Sequence, residues 1–390
     1  MLWINKLKNL QLDIVGFLAV LGEGSVLANA QVSTLSKWVF LPRLLPAPQA
    51  LLRPSRPSKL SPHPGRVTGV FSGNDRQSIN HIGNIVCDAD HMKEFSVRCV
   101  EISRTNSLHV KAKTKAPLTA VLLLGAALSV ILIGLSIHYG DGMSLLATIL
   151  LSLLSSLIGL GNKWTLQLPR RSVKDTTVPR GDVVIRYHKG SFLIVRCEED
   201  VARELYFAPE TIHYLVSHGP AYRLLSLVGT LMLMFGVIFL ANAQIILQIA
   251  WAGAYMLLNA AYWIVAALPS KIHWDASCFE VKPQCLSDSE DSKGYPSINK
   301  TFTQALWKVI VVTKSIDWVK RGEAAPDTRA WRLWLLDAKH KACTVNTLSK
   351  DKFPNVTTWE VPDWDPQQHL KELLAEQARE DEKGASANNV

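Results

Sequence analysis

The chain has 390 residues, 48% of them hydrophobic, with 42 Lys and Arg against 33 Asp and Glu and a formal net charge of +9. The charge is partitioned: residues 1–116 carry fifteen basic against seven acidic side chains, 163–221 nine against seven, and 269–390 seventeen against eighteen, while the apolar blocks between hold only Asp141 and Arg223. That pattern excludes a single water-soluble globular domain and defines an α-helical polytopic membrane protein with polar segments.

Residues 1–41 form an apolar, amphipathic segment. Lys6 and Lys8 precede "IVGFLAVLG", and "ANA" at 28–30 has the look of a signal-peptidase site. Asp13 and Glu23 flank too short an apolar core to span, so a packing or membrane-surface helix is expected over a cleaved signal. Residues 42–66 hold seven prolines and five Lys or Arg and read as a flexible, partly extended linker. Residues 67–116 form a basic juxtamembrane region whose weak periodicity assigns no fold. The basic excess before the first span points to an anionic leaflet as neighbour, and not to nucleic acid.

Two transmembrane hairpins follow. In the first, at 117–162, Leu118–Ile137 and Met143–Gly161 are the spans, Pro117 suits a first helical turn, and "HYGDG" makes the turn. The second covers 222–268. From Leu224 to Leu268 there are forty-five residues without a charge. At 1.5 Å per residue a single helix of that length would reach roughly 67 Å, against a hydrocarbon core of about 30 Å. The run is therefore Tyr222–Ala241 and Ile245–Leu268 with "NAQ" as the turn; the alternative is a buried helical pair in a soluble core. Tyr139, Trp164, Tyr222 and Trp274 lie at span boundaries, as interfacial aromatics do.

The segment 163–221 reads as a small α+β cytosolic insert. "DVVIRYHKGSFLIVRC" alternates around Lys189-Gly190 as a β-hairpin, "EEDVARELYF" reads as a helix, and "PETIHYLVSHGP" as another. After a linker at 269–300 comes a tryptophan-rich helical hairpin at 301–342, with Thr328 as an N-cap. Its basic, aromatic first helix suits an anionic lipid surface or an acidic protein partner, or else the pair buries its own tryptophans. A linker at 343–364 leads to a C-terminal amphipathic helix at 365–383, with Asp365 as N-cap and Pro366 at the first turn. Residues 384–390 read as a disordered tail.

The two turns contain no Lys or Arg, whereas Lys111, Lys113, Lys115, Lys163 and Lys271 flank the opposite span ends. Basic residues near span ends mark the cytoplasmic side. Both termini and the insert are thus expected in the cytosol, at the plasma membrane or an endomembrane. The sequons at Asn299 and Asn355 are then silent, since they act only in the lumen.

No catalytic, cofactor-binding or metal-binding residue emerges, and no cofactor is implied. The spans hold no Asp, Glu or Lys. Asn259 reads as an interhelical hydrogen bond, and Ser152, Ser155 and Ser156 as the only polar stripe a pore could use. His213 and His218 are misspaced for a helical metal pair, and "DAD" at 88–90 reads as a loop. The six cysteines show no CxxC spacing and read as reduced thiols; Cys278, soon after the last span, is the one placed for palmitoylation. The stretches "RGDVVIRYHKGSFLIVRCEEDVARELYF" and "GPAYRLLSLVGTLMLMFGVIFLANAQIILQIAWAGAYMLLNAAYWIVAALP" resemble an uncharacterised family of multi-pass integral membrane proteins of filamentous fungi, with no established activity. The resemblance implies the topology and no chemistry. A scaffold, adaptor or regulatory subunit, able to homo-oligomerise, is the expected function; a small transporter or channel formed on oligomerisation is the alternative, and a membrane-embedded lipid enzyme a third.

Overall fold

The computed structural model describes residues 22–89, 92–105, 109–168, 178–288, 296–344 and 357–387. The first twenty-one residues, with the charged part of the targeting pattern, lie outside them, as do Asp90, Asn355 and residues 388–390. The chain divides into two compact units.

The first unit takes residues up to 59, 109–167 and 211–276. It holds helices α1 (Glu23–Leu35), α2 (Pro117–His138), α3 (Gly142–Asn162), α4 (Gly219–Ala241) and α5 (Ile245–Ala266). The last four are long and apolar enough to cross a membrane. Their ends follow local chemistry. Pro117 and Pro220 sit in first turns, where a missing N–H costs nothing. Asp141 accepts hydrogen bonds from the N–H groups of Met143 and Ser144 and so caps α3. Helix α3 packs against both α2 and α4, and α5 packs against α2. The legs of the second apolar run thus lie on different neighbours and do not pair along their length. The α3–α4 crossing is close because a Cβ on Gly236 would meet the Leu151 side chain at 2.6 Å. Exposed Leu224, Leu227, Leu231, Phe235 and Ile238 cover the outer side of α4.

Short strands complete this unit. Trp164–Gln167 pairs antiparallel with Thr211–Tyr214, and Lys111–Ala112 with Trp274–Asp275. The stretch expected to be a helix after Pro209 is therefore a strand. Its β-branched Thr211 and Ile212 find an edge to pair with, and pairing outweighs the local helix signal. Trp164 and Trp274 are both buried and meet edge to face at 6.2 Å, so they are packing residues and not an aromatic belt.

The second unit takes residues 60–108, 168–210 and 277–390. Its sheet has seven strands: β1 (His63–Gly69), β2 (Asp75–Ile79), β3 (Val97–Arg104), β4 (Val183–Arg186), β5 (Phe192–Arg196), β6 (Phe279–Leu286) and β7 (Thr358–Trp359). The spatial order is β7-β6-β3-β5-β4-β1-β2, with β3–β5 and β6–β7 parallel and the rest antiparallel. The expected hairpin is β4–β5, turning through Gly190 at φ 68°. It is not a self-contained insert: β4 pairs with β1 and β5 with β3, from the region before the first span that showed no readable pattern. β4 and β5 are buried almost throughout, whereas β3 sets buried Val97, Cys99, Val100 and Ile102 beside exposed Glu101 and Ser103.

Helices α6 (Phe302–Thr313), α7 (Asp317–Arg321), α8 (Arg329–Thr344) and α9 (Pro366–Ala387) follow. Three helices stand where a two-helix hairpin was expected at 301–342. Ala305, Leu306, Val309 and Ile310 of α6 pack with Val97, Cys99, Phe192 and Ile194 of the sheet. Trp307, Trp318 and Trp334 are 2%, 1% and 0% exposed. Trp364 packs on two of them, at 4.6 Å from Trp307 and 5.8 Å from Trp334. Lys308 is buried too, its ammonium held by Asp288 and the Ser297 hydroxyl. Trp307, Trp318, Trp334 and Lys308 are thus turned into the core, while Lys314 and Lys320 remain exposed. The caps are as expected: Thr328 accepts from Trp331 N–H, and Asp365 from Gln367 and Gln368.

Candidate functional site

The most elaborate polar construction in the first unit is the stretch read as a proline-rich tether. After α1, a 3-10 turn (Lys37–Phe40) leads into "LPRLLPA", and a second 3-10 turn (Pro48–Leu51) leads out. Leu44, Leu45, Ala47 and Ala50 are buried among α2, α3 and α5. Non-helical backbone enclosed by apolar helices must find hydrogen-bond partners. Pro42, Pro46 and Pro48 have no N–H to satisfy. Arg43 N–H donates to the Ser155 hydroxyl at 3.0 Å, Leu44 N–H to the Gly125 carbonyl at 3.1 Å, and Ala47 N–H to the Tyr255 hydroxyl at 2.9 Å. The Arg43 guanidinium, itself 3% exposed, donates to the carbonyls of Val39 at 3.0 Å and Leu41 at 3.1 Å, and Tyr262 lies against it. Its Nε finds no partner among the described residues. Two glycines admit the segment's backbone: a Cβ at Gly125 would stand 2.7 Å from the Leu44 carbonyl oxygen, and one at Gly159 2.5 Å from that of Val39.

Along their lengths the apolar helices carry hydroxyl pairs. Ser152 donates to Ser129 at 3.0 Å, Ser136 and Ser144 share a bond of 2.8 Å, and the Trp251 indole donates to Thr148 at 3.0 Å. Asn259 accepts from Ser25 of α1 at 3.0 Å, an interhelical bond as expected. Asp141 adds a second role to its cap: its other oxygen accepts from Gln244 N–H at 2.6 Å, tying the two turns together. Arg56 closes the far end of the proline segment. Its guanidinium lies 4.0 Å from the Tyr214 ring and 3.9 Å from the Tyr222 ring and donates to the last carbonyls of α3 at Gly161.

The second unit has a strongly polar cleft, of about 470 Å³, between β3, the end of β5 and the turn before β4. Arg104 pairs with buried Glu204, and Asp182 lies 3.1 Å from Arg180 and 3.6 Å from Arg196. Burial pushes the Asp182 carboxyl up, against the pull of Arg180, and pushes the Cys197 thiol up as well. The three arginines are matched by Glu101, Asp182, Glu198 and Glu204, so the cleft has no net preference for an anion. Elsewhere in this unit, both oxygens of buried Glu210 accept hydrogen bonds, from His81 N–H at 2.9 Å and Ile82 N–H at 2.8 Å.

Of the residues weighed from sequence, Ser155 accepts from Arg43 N–H of the proline segment, Ser156 donates to the Phe40 carbonyl, and Ser152 bonds Ser129 of α2 instead. His213 is on a strand, Asp88 ends a short helix in a left-handed conformation, and Cys278 is 2% exposed. Arg43 and Asp141 were the residues to notice: each is an ionisable side chain beside an apolar run, and Arg43 sits between prolines. Comparisons with protein-family models, with curated proteins and with solved structures match nothing to this chain.

Proposed function

We propose that the chain is a four-span membrane protein, with both termini cytosolic, that acts as a scaffold or regulatory subunit through one α+β module. One observation carries this: strands preceding the first apolar helix (β3), lying between the second and third (β5) and following the fourth (β6) are hydrogen-bonded in one sheet. Paired strands share a compartment, so the chain returns to the same side after each two spans. The basic span flanks favour the cytosol for that side. The hydroxyls within the helices bond to one another, which favours a packed bundle over a conduit.

Two measurements test the proposal. Liposomes holding the purified chain are expected to leak no more ion or solute than empty ones, while mild-detergent extracts of the source membrane hold it with a second protein in fixed stoichiometry. A selective flux would instead make it a transporter or channel, and extraction as a lone chain would remove the scaffold role. For orientation, Asn299 and Asn355 are expected to carry no glycan. An endoglycosidase-sensitive mass shift, lost in Asn299→Gln/Asn355→Gln, would reverse the topology.

A further inference from the structure

We infer that residues 36–56 form a re-entrant element that enters the bilayer, turns near its middle and leaves on the side it entered, with Trp38 and Phe40 against lipid. The inference rests on the membrane-spanning reading of α2–α5 and adds to it an embedded element that does not span.

Depth follows from the helix residues that the segment touches, counted at about 1.5 Å per residue from the span ends that share the side of the sheet strands. Val39 abuts Gly159, three residues from the end of α3, or roughly 4–5 Å in. Arg43 meets Ser155 and Leu44 meets Gly125, each seven or eight residues in, or roughly 11–12 Å. Ala47 meets Tyr255, eleven residues before the end of α5 and so roughly 16 Å in, about half of a 30 Å hydrocarbon core. Ala47 has φ 43°, a left-handed turn flanked by Pro46 and Pro48. The chain then climbs back. The Arg53 carbonyl accepts from the Tyr222 hydroxyl, three residues into α4, and Arg56 reaches the last turn of α3.

Irregular backbone at such depth is tolerated only when protein encloses it and satisfies it. The three prolines, the donations to Ser155, Gly125 and Tyr255, and the Arg43 guanidinium on the carbonyls of the preceding turn meet that condition. The outer side of the segment is different. Trp38 and Phe40 are 41% and 44% exposed. The Phe40 carbonyl accepts from Ser156, which lies between exposed Leu153 and Leu160 on one stripe of α3. What covers Leu153 and Leu160 on a spanning helix is acyl chain, and Phe40 continues that surface. Trp38, nearer the span end and beside Lys37, sits where an indole meets the headgroups.

Nitroxide scanning tests this in proteoliposomes. Five cysteines are buried and Cys343 alone is exposed, so a Cys343→Ser background leaves the introduced thiols as the labelling sites. Labels go on Trp38→Cys, Phe40→Cys, Val130→Cys on the outer face of α2 (68% exposed) and exposed Ser55→Cys. Expected are oxygen-dominated collisions at residues 40 and 130, a weaker oxygen excess at 38, and collisions dominated by a water-soluble nickel chelate at 55. Nickel-dominated collisions at 38 and 40 with oxygen at 130 would overturn the re-entrant element and leave the spans intact. Nickel at 130 would remove the spanning reading itself. Gly125→Leu, which fills the seat of Leu44, is expected to move the residue 40 label from oxygen to nickel; no change there would overturn the proposed seating.

Discussion

Replacing Arg43 by alanine is expected to destabilise the first unit by about 1–3 kcal/mol, because it takes the guanidinium donor from the buried Val39 carbonyl. The guanidinium is the shared donor to the Val39 and Leu41 carbonyls, at 3.0 and 3.1 Å; the bond to Val39 is buried, and the half-buried Leu41 carbonyl also accepts from the Ser155 hydroxyl at 3.4 Å. Burying a charge is costly in itself, and swapping a buried charge for a well-packed apolar group is often neutral. Arg43→Met separates the two effects. If the charge were only a burden, Met would match or exceed the native protein. If the carbonyls matter, Met should be nearly as damaging as alanine, and Arg43→Lys should recover part of the loss with an ammonium that reaches fewer acceptors. Thermal unfolding in detergent reads this directly. A methionine variant as stable as the native chain would show that the segment's backbone is satisfied without the arginine.

That arginine also marks where sequence reading reached and where it stopped. The spans were legible because an uncharged run of forty-five residues has few other uses, and the observed helices end within a few residues of the expected positions. The β4–β5 hairpin was legible because alternation, β-branched residues and Lys189-Gly190 agree. The rest of the sheet was not. Its strands come from three separated parts of the chain, and β1, β2, β3 and β6 mix exposed and buried residues without a clean period, so neither period nor proximity reveals their pairing. Proline misled in "LPRLLPAPQ". Proline removes a donor, and a missing donor suits a solvated tether and a buried segment equally well; only the receiving Gly125, Gly159 and Ser155, more than eighty residues away, distinguish them. The tryptophans of 301–342 pose the same ambiguity: a large aromatic on an amphipathic helix fits a bilayer surface or a core, and here the sheet supplies the core.

Lowering the pH from about 7 to about 5 is expected to stabilise the second unit through one carboxyl, contrary to the usual effect of acid on a protein. Glu210 is 4% exposed and accepts from the N–H groups of His81 and Ile82 at the start of a short helix. Burial pushes its pKa from 4.5 up to about 7, although both N–H groups and Arg76 favour the charged form. The folded state therefore binds a proton that the unfolded chain releases anywhere between these two values. The stabilisation is complete below about 4.5 and is lost as pH rises through about 7. A shift of that size corresponds to at most about 3.5 kcal/mol at 1.36 kcal/mol per pKa unit. Glu210→Gln keeps an amide oxygen for the helix N–H groups and removes the titration. The variant should match or exceed the native chain above pH 7 and fall behind it below pH 5. Other groups titrate in the same range, so the informative quantity is the difference between the two proteins, followed by denaturant unfolding or by amide exchange across His81–Cys87. A difference that does not change with pH, or one that favours the native chain increasingly as pH rises, would show that the carboxylate is charged and stabilising at neutral pH, with the helix N–H groups outweighing burial.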